Sequence, residues 1–198
     1  MDKIFTKNIE HESAVKHVTG KAIYTDDISE PKNLLHAVIG YSNCSKGVIK
    51  KIDYKDVLSS EGVVDIITEK DIEGINDVGP IFKGDKIFTS KNIEYYGQPI
   101  FAVIAKTNNL AKKAALKVKI DLKISKPIVS IEEALKKKSF VLKPKHLTRG
   151  NIKDGFKKSD NILKGKLYSG GQDHFYLEGQ IAMTIPQEDN NFLVYSST

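Results

Sequence analysis

The residues best suited to chemistry lie in one run, Ser169-Gly-Gly-Gln-Asp-His-Phe-Tyr-Leu-Glu-Gly-Gln180. Two adjacent glycines, Gly170 and Gly171, interrupt a strand pattern there. Such a pair marks a bulge, or a place where another group approaches the backbone closely. Gln172 follows at once, and its carboxamide offers a neutral N–H donor. Together they suit an oxygen-rich ligand. A bulged strand with the amide turned to solvent accounts for the same residues equally well.

The rest of the chain offers no self-contained catalytic set. His11, His17, His36, His146 and His174 are scattered, with no His-x-x-x-His pair. Cys44, in Ser-Asn-Cys-Ser, has no base placed beside it and reads as a buried or incidental thiol. As the single cysteine, it excludes an internal disulfide framework and a four-cysteine metal site. Asp26-Asp27 reads as a turn or cap rather than a cation site. There is no Gly-x-Gly-x-x-Gly and no Walker loop. No catalytic residue and no direct metal ligand are assigned within the chain.

The formal net charge of +6 invites a nucleic-acid reading. The basic residues argue against it. All are lysines except Arg149, and they are interleaved with Asp and Glu. Lysine is a flexible point charge and lacks the planar fork that reads phosphates and guanine edges. The expectation is a solvated lysine-rich surface and no nucleic-acid partner. No apolar run approaches the roughly 20 residues that span a bilayer. Met-Asp-Lys-Ile-Phe-Thr-Lys at the start is not a secretory signal. The expected compartment is the cytoplasm.

The elements that must position the Gly-Gly-Gln run follow from hydrophobic periodicity. Leu34–Tyr41 is an apolar run of strand length, expected to be buried on both faces. Gly47–Tyr54 alternates and reads as a second strand. Asp56–Ser60 is a helical turn closed by Gly62. Val63–Ile67 is a strand, and Thr68 caps a further turn. Gly74–Ser90 is a long surface loop. Ile100–Ala105 is the clearest buried strand. Thr107 caps a helix whose apolar face is Leu110, Ala111, Ala114, Ala115 and Val118, and Val118–Ile124 returns as a strand. From Ser125 to Gly150 the texture is a connector, with a capping box at Ser130-Ile-Glu-Glu133. A short helix over Asn151–Lys158 and strands over Ile162–Tyr168, Phe175–Ile185 and Phe192–Tyr195 complete the reading. Strand, helix and strand in succession predict a mixed α/β, or α+β, fold.

With these motifs in place, the sequence resembles the molybdenum-binding subunit of the xanthine dehydrogenase and aldehyde oxidase family. Ser13-Ala-Val-Lys-His-Val-Thr-Gly-Lys-Ala-Ile-Tyr-Thr-Asp-Asp27 is similar to the family's opening signature. Gly62-Val-Val, Asp71-Ile-x-Gly74, Asn76-Asp77, Gly79-Pro80-Ile81, Tyr96-Gly-Gln-Pro99 and Arg149-Gly150 follow in the family's order. Gly170-Gly-Gln-Asp-His-Phe-Tyr-Leu-Glu178 is the most specific piece.

The resemblance implies an N-terminal segment over 1–15, an α/β-hammerhead domain over 16–125, a connector over 126–148 and the start of a molybdopterin-binding domain over 149–198. It implies that Gln172, with Gly171 and Gly170, contacts a molybdenum–molybdopterin cofactor, Gln172 through an oxygen ligand of the metal. Phe175 and Glu178 are assigned to packing and strand structure. The implied activity of the complete subunit is oxidation of hypoxanthine and xanthine to urate, with electrons leaving through iron–sulfur clusters and FAD on partner domains or subunits. An aldehyde substrate, or a purely structural role for this stretch, remains an alternative. The family's second glycine-rich motif and its catalytic Glu are expected downstream of Thr198. The chain therefore reads as an N-terminal fragment, inactive by itself, whose last strands want partners.

Overall fold

The run Ile100–Ala105 forms the centre of the fold because every residue but one in it is fully buried. In the computed structural model, which describes residues 10–197, it lies in β5 (Pro99–Ala105). Two neighbours flank β5, so neither of its edges is free. β1 (His36–Tyr41) and β3 (Val63–Ile67) pair with it antiparallel in the order β1-β5-β3. A second antiparallel sheet runs β4-β2-β6, from β2 (Gly47–Asp53), β4 (Asn92–Ile93) and β6 (Lys119–Ile124). The strand–helix–strand unit thus leaves one sheet at β5 and enters the other at β6. Helices and strands are both present, and the fold is mixed α/β.

Helix α3 (Asn108–Ala115) joins β5 to β6. Thr107 Oγ1 accepts from the Leu110 N–H at 3.3 Å. That satisfies one of the first-turn donors a helix leaves unpaired. Ala111 and Ala114 are fully buried against the β1-β5-β3 sheet. Small residues on this face let the helix lie close to the strands, while Lys112 and Lys113 stay on the wet side. The core gathers Phe101, Val57, Val103, Ile93 and Ile100, with the Tyr54 ring edge-on to Phe101 at 5.2 Å. Edge-to-face packing of this kind suits the ring quadrupoles.

Several short elements follow local chemistry. Thr68 caps the 3₁₀ turn Glu69–Asp71, accepting from the Lys70 N–H, while Asp71 Oδ2 accepts from the Thr68 N–H at 2.7 Å. Helix α2 (Lys55–Leu58) ends at Ser59 rather than at Gly62, which lies three residues on with φ +72° and leads into β3. Ser130 caps α4 (Ile131–Lys137), and the Glu133 carboxylate pairs with Lys137 one turn on. Asn151 caps α5 (Ile152–Lys158) through the Lys153 and Asp154 amides.

The Gly74–Ser90 loop has no ladder of its own, yet it is clipped internally. Asn76 exchanges two hydrogen bonds with the Phe88 backbone, at 2.7 and 3.1 Å. Asp77 accepts from the Gly79 and Gly84 amides at 2.8 and 2.6 Å.

Three strand expectations need correction. β1 is not buried on both faces: it is an edge strand, and Tyr41 is 58% exposed. Ile162–Tyr168 forms no strand, and Leu163 and Leu167 stand exposed. Phe175–Ile185 contracts to β7 (Ala182–Pro186), which pairs only with β8 (Phe192–Ser196). The reason is common to the last two. A strand exists through its neighbour's hydrogen bonds, and among the described residues no strand lies beside 162–181.

The chain divides into two compact units. Among the described residues, Lys32–Gly150 is one, and residues 10–31 join 151–197 in the other. Residues 16–31 therefore group with the C-terminal part and not with 32–125. Helix α1 (Ala14–Val18) and the 3₁₀ turn Thr25–Asp27 belong to that second unit. Residues 1–9 of the N-terminal segment, and Thr198, lie outside the described residues. No helix among the described residues is long and apolar enough to cross a membrane.

Candidate functional site

Gly170, Gly171 and Gln172 lie in a run without helix or strand, and all three are exposed. The bulged-strand reading does not hold, since there is no strand to bulge. Nothing lies within 4 Å of the position a Cβ would take at either glycine, and neither has a positive φ. Within this chain, then, neither turn geometry nor packing demands glycine there. Open backbone is what a ligand approaching main-chain N–H groups requires.

The Phe175 N–H reaches Asp173 Oδ1 at 3.4 Å, and Phe175 itself sits at φ 51°, in the left-handed region. His174 and Tyr176 stack with nearly parallel rings, 5.4 Å between centroids. Phe175 is 91% exposed. A large apolar side chain left this open does not pack within the chain, so the packing role expected of it is not met by the described residues. Glu178 is different. It is partly buried, and its Oε1 accepts from the Thr25 N–H at 2.8 Å, 153 residues away in sequence. No sequence pattern links these two positions.

The other candidates resolve as structure. Cys44 is buried and unpaired. Asp27 closes the Tyr24 cap, accepting from the Tyr24 N–H at 2.9 Å. Among the described residues no group of three His, Cys, Asp or Glu side chains could hold a metal ion. Within the Tyr96-Gly-Gln-Pro99 motif, Gln98 is buried and clasped to the buried Ser42, while Tyr96 stays exposed. Ser42 Oγ accepts from the Gln98 N–H at 3.2 Å and faces the Cys44 and Tyr95 carbonyls at 3.1 and 3.0 Å. The Gln98 carboxamide in turn accepts from the Glu94 N–H at 2.8 Å. A groove of about 900 Å³ in the Lys32–Gly150 unit is lined by Val38, Gly40, Tyr41, Tyr96, Phe101 and Leu116 among others. It brings together no acid–base pair.

Titration follows local contacts. Burial pushes Tyr54 up to about 12, with Asp71 adding to the effect. The Asp71 carboxyl lies below its ordinary range because the Thr68 N–H and hydroxyl donate to it. The Gly79 and Gly84 amides lower Asp77 in the same way. A hydrogen bond with Ser90 lowers Glu69, against the opposing effect of burial.

Two three-stranded antiparallel sheets, with helix α3 packed on the β1-β5-β3 sheet, define a mixed α/β domain, followed by an open Gly-Gly-Gln segment. The family description "Aldehyde oxidase and xanthine dehydrogenase, a/b hammerhead domain" matches residues 19–126, and "Molybdopterin cofactor-binding domain" matches residues 132–198. The chain belongs to the xanthine dehydrogenase and aldehyde oxidase family. It is 37% identical over 193 residues to a xanthine dehydrogenase of Dictyostelium discoideum, covering 98% of this chain and 14% of that protein. It is 38% identical over 192 residues to aldehyde oxidase 2 of Rattus norvegicus, covering 96% of this chain and 14% of that one. The solved aldehyde oxidoreductase of Desulfovibrio gigas matches at a TM-score of 0.80 and 27% identity, over 94% of this chain and 23% of that one. The chain thus spans about one-seventh of the length of these curated relatives.

Proposed function

We propose that this chain is part of a molybdenum hydroxylase, and that Gln172, flanked by Gly170 and Gly171, is its contact with a molybdenum–molybdopterin cofactor. One observation carries the reading. Within the stretch matched as a molybdopterin cofactor-binding domain, these three residues combine an accessible amide donor with two glycines that face open space, nothing lying within 4 Å of where a Cβ would stand. Donor chemistry fits the group: the Gln172 N–H suits an oxygen of the cofactor, and a metal held by its own organic ligand needs no protein cluster. When bound, the cofactor supplies two-electron oxidation. The chain's residues orient it by hydrogen bonding, and they supply no general base among themselves.

The substrate reading is a purine, hypoxanthine or xanthine going to urate, supported by similarity to a xanthine dehydrogenase. The likeness to aldehyde oxidases and to an aldehyde oxidoreductase fold favours aldehydes as a second reading. Iron–sulfur and FAD partners, on other domains or subunits, belong to the same proposal, as do a cytoplasmic site of action, a role in purine catabolism, the domain limits 16–125 and 149–198, and inactivity of the 198 residues alone.

The test uses the complete protein that carries this chain, assayed with xanthine and with aldehydes. Replacing Gln172 with Leu removes one aimed donor. The expected loss is about 10²-fold in kcat, the scale for an oxyanion donor, together with lowered molybdenum content. Undiminished turnover and metal content in Gln172→Leu would refute the cofactor contact.

A further inference from the structure

Within residues 160–180, Glu178 makes a hydrogen bond to an element distant in sequence, the turn at Thr25. The rest of this run has neither ladder nor helix, and its large side chains are exposed. Left free, a segment of this kind would sample many conformations, and Gln172 would move with it.

The partner of Glu178 is well held. The Asp27 N–H donates to the Tyr24 carbonyl at 3.0 Å, the Tyr24 N–H donates to Asp27 Oδ2, and the Tyr24 hydroxyl lies 3.1 Å from His17 Nδ1. Thr25 therefore presents its N–H from a turn fixed on both sides. Between Gln172 and Glu178 the segment carries the Asp173–Phe175 hydrogen bond, the left-handed Phe175 and the His174–Tyr176 stack. Just beyond, the Ile181 N–H donates to Ser197 Oγ at 3.0 Å, where the β7–β8 hairpin begins.

We propose that Glu178 is a positioning residue for the Gly170–Gln172 motif: its side chain, accepting from the Thr25 N–H, anchors the segment that carries Gln172. This role rests on the reading of Gln172 as a cofactor contact. Losing a partly buried acceptor leaves the Thr25 N–H without its partner, which costs more than losing an exposed hydrogen bond would. This hydrogen bond ties residues from opposite ends of this sequence into one unit.

The test is amide hydrogen exchange on the whole protein, with molybdenum content measured on the same preparations. Glu178→Ala removes the acceptor, whereas Glu178→Gln keeps an oxygen at the same reach. In Glu178→Ala, exchange at Thr25, the amide that loses its acceptor, should rise about tenfold, with β5 amides unchanged and molybdenum content lowered. Glu178→Gln should restore most of both. Unchanged exchange at Thr25 in Glu178→Ala overturns the tether. Raised exchange with full molybdenum content, while Gln172→Leu loses metal, overturns the positioning role and leaves the cofactor contact standing. Full molybdenum content in Gln172→Leu overturns the cofactor contact and, with it, the positioning role.

Discussion

Gly40 in β1 faces Phe101 in β5, and a Cβ on Gly40 would run into the Phe101 ring. Phe101 is fully buried, so its ring has nowhere to retreat. The glycine leaves room for the tip of the largest core side chain against the edge strand. Gly40→Ala should therefore destabilise the protein by about 1–3 kcal/mol through overpacking. Gly74→Ala, where nothing lies within 4 Å, should stay within about 0.5 kcal/mol of wild type. Urea unfolding midpoints of the two variants provide the comparison.

Ser42 is the hub of the clasp that holds the turn before β5. Removing its hydroxyl leaves the buried Gln98 N–H without its acceptor. Ser42→Ala is expected to cost about 1–3 kcal/mol, the penalty for an orphaned buried donor. Ser59→Ala, at an exposed hydroxyl, should cost much less. Equal losses in the two proteins would show that the clasp contributes nothing.

Acid should loosen the 68–90 region before it melts β5. Asp71, Asp77 and Glu69 are all depressed in the folded state. A depressed carboxyl stabilises the fold above its unfolded value, and that stability drains away as pH falls through the lower folded value. The window therefore opens below about pH 4.5. Loop amides at Gly79 and Gly84, followed by exchange from pH 6 to pH 3, should lose protection there. In Asp77→Asn the acid dependence at these two amides should vanish.

At the alkaline end the sign reverses. Tyr54, pushed up to about 12, is favoured neutral in the fold. Its contribution is whole below the ordinary phenol value near 10 and is lost as pH rises toward 12. Ultraviolet titration should show one tyrosine ionising late in the native protein. Tyr54→Phe should remove that late step and flatten the alkaline fall in stability.

Much of the fold was legible because its cues are local. Thr107, Thr68 and Ser130 announce helix starts by offering an oxygen to nearby amides, and the Leu110–Ala111–Ala114–Ala115 face announces which side packs. Ile100–Ala105 is apolar without interruption, as a central strand must be. Gly40 could have been found too, since a glycine inside an apolar strand signals close approach. The run 162–181 misled because strand-like composition states a preference, whereas a strand also needs a neighbour.

By its sequence alone, this protein declares its helix caps, its central strand, its mixed α/β class and the family resemblance carried by Gly170-Gly171-Gln172. These depend on residues within a few positions of one another. Tertiary structure alone decided that β5 and β6 enter different sheets, that Ser42 and Gln98 form one clasp, and that Glu178 meets Thr25. Those are pairings across long stretches of chain, chosen by where burial and hydrogen-bond geometry can be satisfied together, and no local pattern encodes them.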